Sequence, residues 1–293
     1  MAAALAACGA TDETDRLRQA ERPVSECPSL GNVGTFMSET EARLVIVGEL
    51  HGTEQGPRLI GNMVCHALAS GKSVAVGLEL PGDDGRLDAY LESPGGPSDI
   101  DAFTRDSRWR AEQQDGRRSR AKFDLIETLR AFRAEGHRLS VFGFVSNFDA
   151  SPYLNADRNA LADQDGYAEA HEANMARNIV SGLQDADLTI VLVGSVHGCE
   201  GRMERDGRDY RLMSDFIDVP GTVRLLTTYA TGTAWNCRGG VCGPSTAEGQ
   251  DATEAAPFMI DLTRQPEFIC DYDGAVTLGP ISASEPFASA DVP

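Results

Sequence analysis

The sequence predicts an α/β fold, a mainly parallel sheet flanked by helices, with a site at the C-terminal ends of the strands. Three observations predict it. Short runs that are apolar on successive residues recur along the chain, as in strands buried on both faces. Segments with apolar residues at helical spacing lie between them, so strand and helix alternate. Chemistry-bearing side chains fall directly after the runs, where open α/β sheets bind their ligands.

Taken in order, residues 1–40 read as a lipobox-like start and a tether. The tether is rich in Asp, Glu, Arg and Ser, with Pro23 and Pro28. A single α/β domain is expected over 41–280. Its first strand run is 44–47, closed by Gly48. A helix follows over 57–70, with Ile60, Val64 and Leu68 on one side and Gly71 as its stop signal. The second run, 73–78, leads into Glu79-Leu80-Pro81, and Pro94-Gly95-Gly96-Pro97 is a turn. Residues 119–135 place Leu125, Leu129 and Phe132 on one helical stripe that stops at Gly136. The third run, 139–144, leads into Ser146-Asn147. A helix over 167–183 carries Met175, Ile179 and Leu183 at spacing four, and the fourth run is 188–193. Residues 223–230 and 258–262 are weaker strand candidates. The polar, Gly-rich stretch 232–254 reads as a surface loop stapled by a Cys237–Cys242 disulfide, and 281–293 as a loose tail. No internal repeat is visible.

Composition narrows the function. The chain has 293 residues, 41% hydrophobic and 24% charged, which supports a packed core. Lys plus Arg is 26 and Asp plus Glu 45, a net charge of −19. Such a surface repels phosphate backbones, so nucleic acid is not an expected partner. No apolar run reaches the ~20 residues that span a bilayer. Leu5-Ala6-Ala7-Cys8-Gly9 resembles a bacterial lipobox, although only seven residues precede Cys8. Lipidation at Cys8 would tie an exported protein to the membrane of the cell envelope. With Cys8 modified, six of the seven cysteines remain, an even number suited to an oxidising compartment. Cys237 and Cys242 are the pair that sequence spacing favours; the pairing of the others stays open.

The strand ends deliver two carboxylates and two imidazoles. The first ends in Gly48-Glu49-Leu50-His51-Gly52, the second in Glu79, the fourth in Gly194-Ser195-Val196-His197-Gly198. A single His after a strand is ordinarily a solvated loop residue. Four such groups at equivalent topological positions point instead to a pocket. Glu79, directly after an apolar run, is expected to be partly buried and therefore paired. On the 167–183 helix, His171, Asn174 and Asn178 share a face, and Arg177 adjoins the Met175 and Ile179 stripe. His66 and His137 read as structural or surface residues.

Two chemistries fit these residues. In one, His51 is a general base oriented by Glu49 or Glu79, and Arg177 or His197 stabilises the oxyanion of an ester or amide substrate. In the other, His51, Glu79 and His197 hold a divalent metal whose bound water attacks. No compact metal motif, G-x-S-x-G elbow, P-loop or dinucleotide fingerprint is present. A small molecule or peptide is the expected ligand.

Gly48-Glu49-x-His51-Gly52-Thr53-x-x-x-Pro57, Gly77-Leu78-Glu79, Met175-Ala176-Arg177-Asn178-Ile179 and Val193-Gly194-Ser195-Val196-His197-Gly198 together resemble a known superfamily. It joins erythromycin esterases, ChaN-like haem-binding lipoproteins and TIKI/TraB proteins, and the ChaN-like branch is favoured. Glu54 and Arg58 stand where that branch would carry paired histidines. The resemblance spans about residues 41–230 and implies an α/β core with its Glu and His residues in one pocket. It also implies an alternative to hydrolysis: a non-catalytic lipoprotein that binds haem or iron, with one of Tyr90, Tyr153, Tyr167, Tyr210, Tyr229 or Tyr272 as haem ligand.

Overall fold

The computed structural model describes residues 26–82, 85–105, 109, 115–145, 164–183, 186–205, 207–238, 240–249 and 256–287. Cys8, most of the tether, Ser146-Asn147 and Tyr153 lie outside them. The architecture is a seven-stranded sheet flanked by helices. Its strands are β1 (Leu44–Glu49), β2 (Val74–Pro81), β3 (Leu139–Val145), β4 (Leu188–Gly194), β7 (Thr222–Thr228), β10 (Met259–Asp261) and β11 (Gly274–Thr277). Their spatial order is β10-β11-β7-β1-β4-β2-β3. Every neighbouring pair is parallel except β10 with β11.

The apolar runs become central strands because both sheet faces are covered. Every residue of β1 and β4 is buried. On one face Val45, Val47, Val76 and Ile190 pack with α2 (Gln55–Ala69) and α5 (Arg120–Ala134), through Ile60, Met63, Ile126 and Leu129. On the other, Leu44, Ile46, Val191 and Val193 meet Met175, Ala176 and Ile179 of α6 (Gln164–Gly182). Alternation along one strand thus feeds two separate apolar layers.

The helix stops fall where the glycines stand. Gly71 and Gly136 have φ of 86° and 85°. After α2, Gly71 and Lys72 donate to the carbonyls of Leu68 and Ala67; after α5, Gly136 and His137 donate to those of Arg133 and Phe132. Both are the paired C-terminal closure that needs a left-handed residue. Ser119 caps α5 by accepting the Lys122 N–H.

Several sequence expectations are corrected. Part of the expected tether is structured: α1 (Val33–Glu39) buries Val33 and Met37, and Cys27 is bonded to Cys65 of α2. The expected 232–254 loop is largely a hairpin, β8 (Thr231–Arg238) against β9 (Val241–Glu248), with Cys237 opposite Cys242. The expected tail packs as far as residue 287. Ala283 and Pro286 bridge to Thr53 and Ser119, and buried Phe287 stacks on Phe123 at 3.9 Å. Two short helices, α3 (Arg86–Leu91) and α4 (Pro97–Thr104), lie between β2 and α5. A one-turn helix α7 (Ser195–Gly198) follows β4, then the hairpin of β5 (Arg202–Arg205) and β6 (Arg208–Arg211) and a 3₁₀ turn at Met213–Phe216.

The chain forms three disulfides, Cys27–Cys65, Cys199–Cys270 and Cys237–Cys242. They mark an exported, non-cytoplasmic protein, because reducing compartments do not keep such bonds. Among the described residues no helix is long and apolar enough to cross a membrane.

Candidate functional site

Adjacent strands β1, β4 and β2 end side by side and bring their terminal residues together. Glu49, the last residue of β1, is buried. Its Oε1 accepts from Lys122 Nζ at 2.8 Å and lies 3.1 Å from His51 Nδ1. Glu79, on β2, is also buried. Its Oε1 accepts from Arg117 Nε at 2.7 Å and its Oε2 from the Gly194 N–H at 2.8 Å. Arg117 also pairs with Asp115. His51 sits between the two carboxylates, its Nε2 3.4 Å from Glu79 Oε2. That Nε2 is buried and makes no hydrogen bond.

The approach of ring and strand end depends on glycine. A Cβ on Gly194 would stand 2.8 Å from His51 Nε2. Gly52, directly after His51, has φ of 73° and packs against the backbone of Trp235, whose N–H donates to the Gly52 carbonyl at 2.9 Å. The β8–β9 hairpin therefore rests on the loop that carries His51.

A second imidazole–carboxylate pair stands beside the first. His197, on α7, holds Glu172 of α6 through Nδ1, at 2.7 Å to Oε1 and 2.9 Å to Oε2. Glu172 is buried and also accepts the Met213 N–H at 2.8 Å. Among the described residues nothing hydrogen-bonds His197 Nε2.

The electrostatics follow from burial opposed by pairing. Burial disfavours the imidazolium of His51, but the charge of Glu79 beside it and the hydrogen bond and charge of Glu49 outweigh it and raise its pKa from 6.5 to about 9. Burial pushes Glu79 up, yet His51, His197 and Arg117 bring it well below the usual carboxylate range. Glu49 is likewise lowered, burial being overcome by Lys122 and His51. His197 is raised, because Glu172 and Glu79 overcome its burial. His171, in the same electrostatic group, is lowered, with burial dominating.

Of the sequence-predicted site residues, Glu49, His51 and Glu79 form one chain of contacts, and His197 is coupled to Glu79 through charge. Arg177 is not in that chain. It is exposed on α6 and bonds Asn174 Oδ1 at 3.1 Å, so the guanidinium at the site is that of Arg117. Sequence reasoning missed Arg117, Lys122 and Glu172. Lys122 carried a readable signal: it precedes Leu125, Ile126 and Leu129 at spacings of three, four and seven, which places a lysine on the buried stripe.

The metal expectation for His51, Glu79 and His197 does not fit this donor set. Both ring nitrogens of His51 face carboxylates, and Lys122 and Arg117 already neutralise those carboxylates. Among the described residues no group of three or more His, Cys, Asp or Glu is arranged to hold a metal ion. The haem expectation is not met at Tyr90 or Tyr272. Both are buried, donate to Glu127 and to the Ser195 carbonyl, and have phenol pKa values pushed up by burial.

No protein-family model matches the chain, and no curated protein matches it. Solved structures share its fold. A succinoglycan biosynthesis protein is 11% identical, with a TM-score of 0.61 over 95% of this chain and 100% of that one. A protein from Bacillus cereus is 11% identical, with a TM-score of 0.58 over 93% of this chain and 99% of that one. At such identity the likeness is one of fold alone.

Proposed function

We propose that the protein is an exported hydrolase, lipid-anchored through Cys8 in the cell envelope, that cleaves an ester or amide in a small molecule or peptide. One observation carries this reading: a partly buried imidazole, His51, is clamped by two buried carboxylates, its Nδ1 hydrogen-bonded to Glu49 and its buried Nε2 held only by the looser ionic contact with Glu79. A buried polar atom without a well-formed hydrogen bond is costly, and marks a place where a ligand can take up the bond. The motif resemblance to the erythromycin esterase and ChaN-like superfamily supports the same pocket.

The two histidines divide the proton work. A general acid must hold its proton and a base must be free to take one near the working pH. His51 keeps its proton up to about pH 9, which suits it to be the acid, in place of the base role read from sequence. In its neutral form His197, with Nδ1 fixed by Glu172, offers Nε2 as the base. Water gives a proton to His197 Nε2 as its oxygen bonds to the substrate carbonyl. The carbonyl electrons move onto oxygen, near the positive charge of Arg117. When the tetrahedral intermediate collapses, the bond to the leaving oxygen or nitrogen breaks and His51 Nε2 supplies its proton. Return of the proton from His197 to His51 restores the site. Each positioned proton carrier is worth about 10²–10⁴-fold in rate.

The test is hydrolysis of p-nitrophenyl acetate and of a peptide panel by wild type, His51→Ala and Glu79→Gln. Both variants are expected to lose turnover while keeping the far-ultraviolet CD of wild type. Full activity in both would overturn the assignment.

A further inference from the structure

Both histidine motifs are built around one buried phenol that belongs to neither. Tyr272 is 4% exposed. Its hydroxyl donates to the carbonyl of Ser195, the first residue of the turn that carries His197. The same hydroxyl fills the space beside two glycines. A Cβ on Gly48, just before Glu49, would run into it, and a Cβ on Gly198, just after His197, would stand 2.9 Å from it. These glycines stay small because the phenol lies between the end of β1 and α7.

The segment that carries Tyr272 is itself fastened to α7. Cys270 is bonded to Cys199, which directly follows Gly198. Glu200 and Asp271 exchange backbone hydrogen bonds, Glu200 N–H to Asp271 O at 3.0 Å and Asp271 N–H to Glu200 O at 3.1 Å. The His197 turn is thus held at its start by the phenol and just past its end by the disulfide and bridge. Glu172 approaches from α6, so the placement of this turn sets the reach of His197 Nδ1 to it, 2.7 Å to Oε1.

We infer that Tyr272 is a positioning residue, which through its hydroxyl holds the His197 turn in register with Glu172 and with the end of β1. This rests on the hydrolase reading for its effect on rate, but not for its effect on His197. Tyr272→Phe removes one oxygen and leaves the ring, so the core keeps its volume. The turn then loses its tie at Ser195, and His197 drifts from Glu172.

The experiment is an NMR pH titration of the ring-labelled histidines in the full chain, His197 being assigned by its loss in His197→Gln. In Tyr272→Phe the His197 midpoint is expected to fall by about half a unit or more, as the carboxylate that favours its charged form moves away. The His51 midpoint stays where it is in wild type. With p-nitrophenyl acetate as probe, kcat is expected to fall ~10-fold with little change in KM, the mark of lost alignment rather than lost binding. An unchanged His197 midpoint in folded Tyr272→Phe overturns the inference. If that variant fails to fold, Gly198→Ala serves instead, since its new Cβ presses on the phenol; it is expected to move the His197 midpoint, and an unchanged midpoint overturns the inference equally. Absence of turnover in wild type would count against the hydrolase reading alone, because the His197 titration still decides the role of Tyr272.

Discussion

His51 carries its proton at neutral pH because Glu79 and Glu49 flank its two nitrogens, and stability depends on that proton. Its folded midpoint, about 9, lies above the ordinary 6.5. The stabilisation is therefore full below pH 6.5 and is lost as pH rises through about 9. Glu79 has the opposite sign: its midpoint is lowered, so its contribution is present above the ordinary 4.5 and is lost as pH falls. Thermal melting across pH 6 to pH 10 is expected to show a falling Tm that flattens in Glu79→Gln; a flat wild-type profile would contradict this. Lys122 is the other charge on which the site depends. It is 3% exposed and neutralises Glu49, so Lys122→Met leaves that buried carboxylate with His51 as its remaining charged partner. Denaturant unfolding is expected to show a loss of about 3–5 kcal/mol, most of it recovered in Lys122→Met with Glu49→Gln. Glu49, His51, Glu79 and His197 were readable because strand ends announce themselves in sequence. Arg117 was not, since it follows no apolar run and reaches Glu79 only through tertiary packing.

At the scale of elements, the strands buried on both faces were the most legible, because continuous apolar runs have few alternatives. Helix ends at Gly71 and Gly136 were legible for the same kind of reason: a left-handed residue is required there. The β8–β9 hairpin was not. Its strands are mostly polar and half-exposed, so no periodicity separates them from a loop. The phenol of Tyr272 was equally silent, since nothing local shows which glycines will close around it. The start of the fold was misread because its order comes from a covalent bond: Cys27–Cys65 ties the segment before α1 to α2 across 38 residues. Replacing both cysteines by Ala is expected to cost about 4 kcal/mol on the loop-closure estimate, read by denaturant unfolding. No change would show that the segment is held by packing alone.

Across the whole molecule, chemistry converges from distant parts of the chain: β1, β2, α5, α6 and α7 each supply a group, and the C-terminal segment holds one of them in place. The order of strands makes this convergence, with β4 inserted between β1 and β2 so that Gly194 and α7 stand beside Glu49 and Glu79. The three disulfides use six of seven cysteines, so denatured, unreduced protein exported from a host cell is expected to give at most one thiol; seven would contradict the export assignment. The most direct measurement of the account is the NMR titration of His51 in wild type and Glu79→Gln. A wild-type midpoint near about 9 that drops toward 6.5 in the variant is the predicted result. A midpoint near 6.5 in both would show that His51 does not stand as an imidazolium between two carboxylates.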